Sequence, residues 1–284
     1  MQSRVRPPAP YFPRAVEDTL RYAARHFPVV TLTGPRQSGK TTLLRHMIPR
    51  ARYVSLEPPD IRAAAEDDPR GFIERLPTPA ILDEAQYVPS ILPYVKEAVD
   101  ENRQRNGQYF ITGSQNLALS SRVSESLAGR AAVLRLLPLT RREFDRRPDA
   151  ALPWDPRSRR ADRGPSIANS RNPWPSLHRG LFPGLAAIPK LKSDVWHAAY
   201  VQTYLERDVR NLRQVGDLTQ FQSFLRLLAT RSAQLLGLTD LARDIGVAVN
   251  TVKAWLSVLE ATYQIAIVRP YYANVSKRLV KTPK

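Results

Sequence analysis

Length, composition and charge set the first limits on this chain of 284 residues. Hydrophobic residues make up 43% of it, enough for one large core or two ordinary ones, so we expect a globular protein. The formal net charge of +17 favours polyanionic partners such as nucleotides, nucleic acid or anionic membrane, without choosing among them. Because cysteine is absent, disulfides, zinc-thiolate sites and a thiol nucleophile are excluded.

The first residues bear on location. The opening MQSRVRPPAPYFPR contains arginines with no apolar segment after them, which argues against a secretory signal. No apolar run in the sequence has membrane-spanning length. We therefore expect a cytoplasmic protein that does not enter the membrane.

Between Val29 and Leu136, short β-rich runs alternate with helix-like segments. The runs are VVTLT, RYVSL, PAILD, QYFIT and AAVLRL, and the segments include TTLLRHMI, PSILPYVKEAVDEN and NLALSSRVSESLAG. This alternation is typical of a parallel α/β sheet with helices packed on it. Pro89 suits a first helical turn, where no backbone N–H is needed.

The composition changes between residues 146 and 192. Prolines recur there beside a basic run, RSRRADR, which indicates a linker or an extended loop. Beyond it, apolar residues three and four apart predict mostly helix until IAIVRPYY. We predict a first domain over 1–145, a Pro/Arg-rich linker over 146–192 and a helical domain over 193–284. Residues 146–284 carry 22 basic and 10 acidic side chains, so the excess charge lies there.

The segment GPRQSGKT fits the phosphate-binding pattern G-x-x-x-x-G-K-[ST] and lies directly between strand VVTLT and helix TTLLRHMI, as that loop requires. Its backbone N–H groups and the helix N-terminus would face phosphate oxygens, Lys40 would add a charge at the β and γ phosphates, and Thr41 would ligate Mg²⁺. The alternative is a Gly-containing turn that matches by chance. The predicted ATP-binding residues are Gly34, Pro35, Arg36, Gln37, Ser38, Gly39, Lys40, Thr41 and Thr42.

PAILDEAQ delivers two carboxylates to the carboxyl edge of the sheet, where ligands of open α/β sheets bind. Asp83 would hold magnesium, and Glu84 would orient and deprotonate the attacking water. Taken alone, two carboxylates after a strand are more often a solvated strand end. The P-loop upstream favours the catalytic interpretation.

Two further segments contain candidates for contact with the transferred phosphoryl group. QYFITGSQ ends the fourth strand in polar side chains, Thr112, Ser114 and Gln115, which either sense the γ-phosphate or form a simple turn. Arg130 precedes the fifth strand and either stabilises developing phosphoryl charge, within its own chain or across an interface, or is a surface arginine. The version across an interface implies a homo-oligomer.

Together these motifs resemble prokaryotic AAA-superfamily ATPases that join a P-loop module to a C-terminal region of unknown function. The resemblance rests on GPRQSGKTTLL, ILDEAQ, FITGSQ, SLAGR with LPLTRREF, YVQTYLERDVRNL, TVKAWLSVLEATYQI and RPYYANVSKRLVKTPK. It implies an ASCE/AAA-type sheet of strand order 5-1-4-3-2. It also assigns Walker A, Walker B, sensor and arginine-finger roles to Lys40, Thr41, Asp83, Glu84, Ser114 and Arg130.

Two features depart from that family. Its members usually carry a double glycine before Phe-Pro, whereas Leu181 follows Gly180 here, and residues 146–175 do not resemble the family. Relatives also continue through a further nuclease-like α/β region where this sequence ends in KTPK. We therefore expect a C-terminally short relative that lacks any activity of that region.

LTDLARDIGVAVNTVKAWLSVLE has the pattern of a helix-turn-helix. Ala242, Val252 and Trp255 would face inward, Gly246 would form the turn, and Thr239 and Asn250 would cap the two helices. Asn250, Thr251 and Lys253 would then lie on the outer face of a DNA-recognition helix. IAIVRPYY and NVSKRLVKTPK would form a wing, with Arg269, Lys277, Arg278 and Lys281 as phosphate contacts. Winged helices also serve as protein-docking modules or nucleotide-sensing lids, so this alternative stays open.

Our main hypothesis from sequence is an ATPase in which Mg-ATP, held between the two domains, switches the binding properties of a winged-helix, DNA-binding C-terminal domain. One alternative is a DNA-binding regulator in which ATP is a structural ligand with little turnover. A kinase is a third, weaker possibility, since no segment resembles an acceptor-substrate pocket. The four histidines show no metal-ligand spacing.

Overall fold

The computed structural model describes residues 10–113, 126–150, 172–204, 217–270 and 283. The chain divides into two compact units, Met1–Trp196 and His197–Lys284. Across the described ranges, no helix is long and apolar enough to cross a membrane. The domain and linker bounds that the composition suggests stay a prediction.

The first unit contains the strands and the helices around them. In chain order its elements are α1 (Glu17–His26), β1 (Val29–Thr33), α2 (Lys40–Met47), β2 (Arg52–Ser55), α3 (Pro59–Asp67), α4 (Pro69–Glu74), β3 (Ala80–Asp83), α5 (Leu92–Glu101), β4 (Tyr109–Gly113), β5 (Ala131–Arg135), α6 (Arg141–Phe144), α7 (Trp174–Arg179) and α8 (Pro183–Ala187). Two 3₁₀ turns, Ala85–Tyr87 and Pro89–Ile91, separate β3 from α5, so Pro89 begins a 3₁₀ turn rather than the α-helix. Most of the helix predicted over NLALSSRVSESLAG lies outside the described residues.

The five strands form one parallel sheet in the order β2-β3-β4-β1-β5. This confirms the predicted order 5-1-4-3-2, read from the opposite edge. The carboxyl ends of all five strands therefore meet at one edge of the sheet. The P-loop begins at that edge after β1, and Asp83, the last residue of β3, lies at the same edge with Glu84 after it.

Alternating residues of the central strands supply the two cores of this unit. Along β1, Val29 packs into one cluster with residues of α4 and α5. Its neighbours Val30 and Leu32 pack into the other, with residues of α1 and α2. Because side chains alternate along a strand and helices cover both faces, the central strands β1, β3 and β4 are buried along their whole length.

The second unit is helical. It contains most of α9 (Ser193–Tyr204), then α10 (Leu218–Thr230), α11 (Leu238–Ile245) and α12 (Val249–Ala261). Trp255 lies at the centre of its core, with ring centroids 5.4 Å from Phe221 and 5.3 Å from Phe224. The predicted helical region after the linker is therefore present.

Two local predictions are wrong. Thr239 and Asn250 do not cap helices: α11 begins at Leu238 and α12 at Val249, so both residues lie in the first turn, and no side chain caps either helix. Residues 265–270 show no strand, whereas IAIVRPYY was expected to form one. The run IAIV is apolar, but no described strand lies beside it, so it has no ladder of hydrogen bonds to stabilise it as a strand. The wing residues Lys277, Arg278 and Lys281 lie outside the described part.

The segment between the sheet and the helical unit is only partly described. Within 146–192, the short helices α7 and α8 are present and Leu185 of α8 is fully buried. Arg179 donates hydrogen bonds to the carbonyl oxygens of Leu191, Leu185 and Ile188 at 2.9–3.0 Å. The residues after 171 are therefore folded against one another.

Candidate functional site

The P-loop is shaped by glycines at its two turns. Gly34 has a φ of +149°, and a Cβ atom built on it would lie 2.0 Å from the carbonyl oxygen of Leu136, so no side chain fits there. Gly39 has a φ of +93°, in the left-handed region, and forms the N-cap of α2. The loop therefore enters α2 with its backbone turned as a phosphate-binding loop requires.

Two buried polar groups of this loop fit a phosphate ligand. Lys40 is 5% exposed, and its Nζ donates to the carbonyl oxygens of Gly34 and Pro35, both at 2.9 Å. The Ser38 hydroxyl is fully buried and has no hydrogen-bond partner among the described residues. A buried ammonium and an unsatisfied hydroxyl beside the N-terminus of an eight-residue helix are donors suited to an anion.

Asp83 collects hydroxyl groups from three other elements. Thr41 Oγ1 donates to its carboxylate at 2.8 Å, and Tyr53 OH at 2.8 Å, and the Thr112 hydroxyl makes a further hydrogen bond. The carboxylate is 6% exposed. Thr41 and Asp83, the two predicted magnesium ligands, therefore lie side by side, and their oxygen atoms are of the kind that Mg²⁺ prefers.

Tyr53 was missed by sequence reasoning. It lies on β2, next to β3, and pairs across the sheet with Ile81, two residues before Asp83. Burial and the hydrogen bond to Asp83 raise the pKa of Tyr53 to about 12, so its hydroxyl stays protonated and donating even at pH 10, where an ordinary tyrosine is half ionised. Only strand order could have revealed it, because nothing in RYVSL marks this tyrosine as different from a packing residue.

Glu84 has a backbone conformation that residues with a side chain rarely adopt. Its φ and ψ are 57° and 44°, its N–H donates to Thr112 Oγ1 at 3.1 Å, and Gln86 hydrogen-bonds its carboxylate. Such a conformation costs about 1–3 kcal/mol, and such strain clusters at functional sites. Because of this conformation, the chain departs from the extended direction of β3 directly after Asp83.

The other predicted phosphate contacts divide into three groups. Pro35, like Ser38, is buried in the loop, whereas Gln37 and Thr42 are exposed and Arg36 is half-buried. Thr112 is fully buried and bonded to Asp83, which makes it part of the site. Ser114 and Gln115 lie outside the described residues.

Arg130 lies at the amino ends of the strands, whereas the P-loop lies at their carboxyl ends. It immediately precedes β5, whose first residue pairs with Val29, the first residue of β1. At about 3.3 Å per residue, a five-residue strand separates it from the P-loop by roughly 16 Å. Its guanidinium makes two bonds to Asp100, at 2.7 and 2.8 Å, and these hold the pKa of Asp100 below its ordinary value. The structure does not bring Arg130 to the phosphate site of its own chain.

The helix-turn-helix has the predicted faces. Ala242, Val252 and Trp255 are buried, and Gly246 forms the turn with a φ of +75°. On the outer side, Asn250 and Lys253 are exposed and Thr251 is half-exposed. Arg269 is also exposed.

Comparison with protein families agrees with this architecture. Residues 26–145 match the family model described as an AAA domain. The sheet and P-loop therefore form an AAA-type P-loop domain. Residues 175–284 match a second model, described only as "Domain of unknown function (DUF8612)".

The individual relatives show that the fold is shared and say little about function. Two proteins called uncharacterized, from Mycobacterium bovis and Mycobacterium tuberculosis, are each 32% identical over 268 residues, which is 93% of this chain and 55% of theirs. The chain thus spans about half the length of these relatives. Among solved structures, the Walker-type ATPase of Pyrococcus abyssi matches with a TM-score of 0.54 and 14% identity, over 99% of this chain and 95% of that one. At that identity the likeness shows the shared fold alone.

Proposed function

We propose that this AAA domain binds Mg-ATP and hydrolyses it. The observation that carries the proposal is the buried carboxylate of Asp83, hydrogen-bonded at 2.8 Å to Thr41 at the start of α2. A P-loop threonine and a strand-end aspartate in contact are the pair that holds magnesium in P-loop NTPases. Magnesium bound there would neutralise charge developing on phosphate oxygens.

The side chains of the site then have separate roles. Lys40 would exchange the carbonyl oxygens that it now contacts for phosphate oxygens, with little movement of the loop. Glu84 would accept a proton from the attacking water. Its strained turn and its bond to Thr112 support this role, because they hold the carboxylate on a rigid edge of the sheet. Ser114 is proposed as the sensor of the γ-phosphate on resemblance alone.

The Glu84→Gln variant tests hydrolysis separately from binding. We expect turnover to fall by about 10²- to 10⁴-fold, the usual contribution of a general base, while ATP affinity is retained. Glu74→Gln is the control, since Glu74 is an exposed carboxylate on α4. If Glu84→Gln turned over ATP like the wild type, Glu84 would not be the general base. If the wild type bound ATP without turnover, the regulator with a structural ATP would be the better description.

We also propose that Arg130 acts in trans, as an arginine finger in a homo-oligomer. Its position at the amino edge of the sheet leaves no route to the P-loop of its own chain. Mixing Glu84→Gln with Arg130→Ala tests this, because only a pair of neighbours can combine an intact site with an intact arginine. Recovered turnover in the mixture is expected. No recovery, with both variants assembled, would assign Arg130 to its ion pair with Asp100 alone.

A second candidate function is DNA binding by the helical unit, controlled by the nucleotide state of the AAA domain. Asn250 and Lys253, exposed at the start of α12, support it, together with the five basic and no acidic side chains from Arg269 to the C-terminus. The winged-helix description is likewise our proposal. The four basic residues Arg269, Lys277, Arg278 and Lys281 would contact phosphates, and Asn250, Thr251 and Lys253 would contact bases.

The two sets of residues should behave differently. Replacing Lys277 and Arg278 by alanine should weaken binding to every duplex and reduce the slope of log K against log salt by about 2. Asn250→Ala should instead cost about 1–3 kcal/mol at a preferred site and little elsewhere. If the purified protein showed no salt-dependent affinity for duplex DNA in any nucleotide state, the helix-turn-helix would be better described as a packing or protein-docking module.

A further inference from the structure

One buried arginine supports the P-loop from behind. Arg14 is 5% exposed and lies in the segment before α1, where sequence reasoning assigned it no role. Its guanidinium donates to the carbonyl oxygen of Ser38 at 2.9 Å and to that of Leu137 at 2.6 Å. It thereby joins three parts of the chain: the N-terminal segment, the P-loop and the segment after β5.

The counter-ion of this arginine is also buried. Glu143 lies 3.2 Å from Arg14 Nε, and each side chain is 5% exposed. The same carboxylate accepts hydrogen bonds from the backbone N–H groups of Ala15 at 2.8 Å and Thr140 at 2.7 Å. Thr140 and Glu143 form a capping box at the start of α6. The pair is therefore fixed on both sides and cannot turn to other partners without leaving a buried charge uncompensated.

The contact with Ser38 has a consequence for the peptide that follows it. In a trans peptide, the C=O and the next N–H point in opposite directions. Holding the Ser38 carbonyl toward Arg14 therefore turns the Gly39 N–H away from Arg14. Ser38 is followed by Gly39, which has a positive φ of 93° and no Cβ to restrict rotation of the peptide between them.

We propose that Arg14 is a positioning residue for phosphate binding, which acts by fixing the Ser38–Gly39 peptide of the P-loop, and that Glu143 holds Arg14 in place. The proposal rests on the nucleotide-binding function proposed above. The Arg14 guanidinium bonds the backbone carbonyl oxygen of Ser38 in the loop, and it makes no contact with Asp83 or Glu84. Its effect should therefore fall on nucleotide affinity and spare the hydrolytic step.

Arg14→Lys is the decisive variant, because lysine retains the charge beside Glu143 but lacks the planar fork that reaches two carbonyl oxygens as well. We expect it to fold with a melting temperature lowered by several degrees, because the carbonyl oxygens of Ser38 and Leu137 lose donors. Its affinity for ATP and for ADP, measured by titration with fluorescent analogues, should fall about ten-fold. That is the value of one lost hydrogen bond to a charged group, here from the Gly39 N–H to a phosphate oxygen. Turnover at saturating ATP should change by less than about three-fold, since KM carries the loss.

A second variant removes both charges. Arg14→Met with Glu143→Gln removes both charges while the glutamine amide oxygen still accepts a backbone N–H of the capping box, and should show the same loss of affinity. Arg70→Gln with Glu97→Gln is the control, because it breaks an exposed ion pair on the same unit, 2.7 Å long. That control should bind nucleotide like the wild type.

The outcomes separate the two proposals. Wild-type affinity in folded Arg14→Lys, or in the folded double variant if the lysine variant does not fold, would overturn the role of Arg14 while leaving ATP binding intact. An equal fall in kcat with no change in affinity would also overturn it. Failure of the wild type itself to bind ATP saturably would contradict the proposed function, independently of Arg14.

Discussion

The phosphate site and the outer face of the helix-turn-helix use polar residues in opposite ways. At the phosphate site, Asp83 is nearly buried and accepts hydrogen bonds from three hydroxyl groups on different elements. On α12, Asn250 and Lys253 are exposed, and the buried residues of that helix are apolar apart from the indole N–H of Trp255. The chemistry of a site whose polar groups already bond one another can be inferred from those contacts. The function of a face whose polar groups point into solvent can be inferred only from the partner that it binds.

The largest expected effect concerns the apolar core beneath the helix-turn-helix. Trp255→Ala should lower the free energy of unfolding of the helical unit by about 3–5 kcal/mol, because it removes a buried indole that contacts Phe221 and Phe224. Denaturant unfolding followed by circular dichroism measures it. Trp174→Ala is the control, since Trp174 is 72% exposed and should cost less than about 0.5 kcal/mol. Equal losses in both variants would contradict the packing role of Trp255.

The next effect concerns the charge in the P-loop. Lys40→Ala should weaken ATP binding by at least ten-fold, since a hydrogen bond to a charged group is worth about 1.5–3 kcal/mol. Equilibrium titration with a fluorescent ATP analogue measures it. Lys96→Ala, which removes an exposed lysine on α5, is the matched control. Wild-type affinity in folded Lys40→Ala would remove the basis of the whole site and, with it, the contrast between the two regions.

The smallest effect concerns the hydroxyl that sequence reasoning missed. Tyr53→Phe should cost about 1 kcal/mol of unfolding free energy at neutral pH, the value of one hydrogen bond. Because the pKa of Tyr53 is raised to about 12 from 10.0, its stabilising contribution is present below pH 10 and is lost as the pH rises toward 12. The stability difference between wild type and Tyr53→Phe should therefore shrink over that range.

Comparing urea unfolding of the two proteins at several pH values measures that difference and cancels the titration of the other tyrosines. Tyr22→Phe, at an exposed tyrosine, should show no such trend. A constant difference between pH 9 and pH 12 would show that the Tyr53 hydroxyl does not depend on its bond to Asp83.

Local pattern alone predicted the α/β unit closely. Short apolar runs separated by helical spacing gave each strand within one or two residues, since a parallel strand buried on both faces leaves a nearly continuous apolar run. The P-loop and the carboxylates after β3 were identified for a related reason. Each stands directly after a strand, so its place at the sheet edge follows from chain order. The helix starts at Thr239 and Asn250 were misplaced, because cap positions depend on backbone angles that residue type only weakly determines.

The sequence by itself determined which residue types end or follow each strand, and hence a P-loop, a pair of carboxylates at the end of β3 and a helix-turn-helix with an apolar inner face. Tertiary packing decided the rest. Strand order brought Tyr53 next to Asp83, and the packing of other elements paired Arg130 with Asp100 and joined Arg14 to Glu143 across more than a hundred residues. These contacts leave no periodic signal, because each depends on one side chain that meets another only after the sheet has formed.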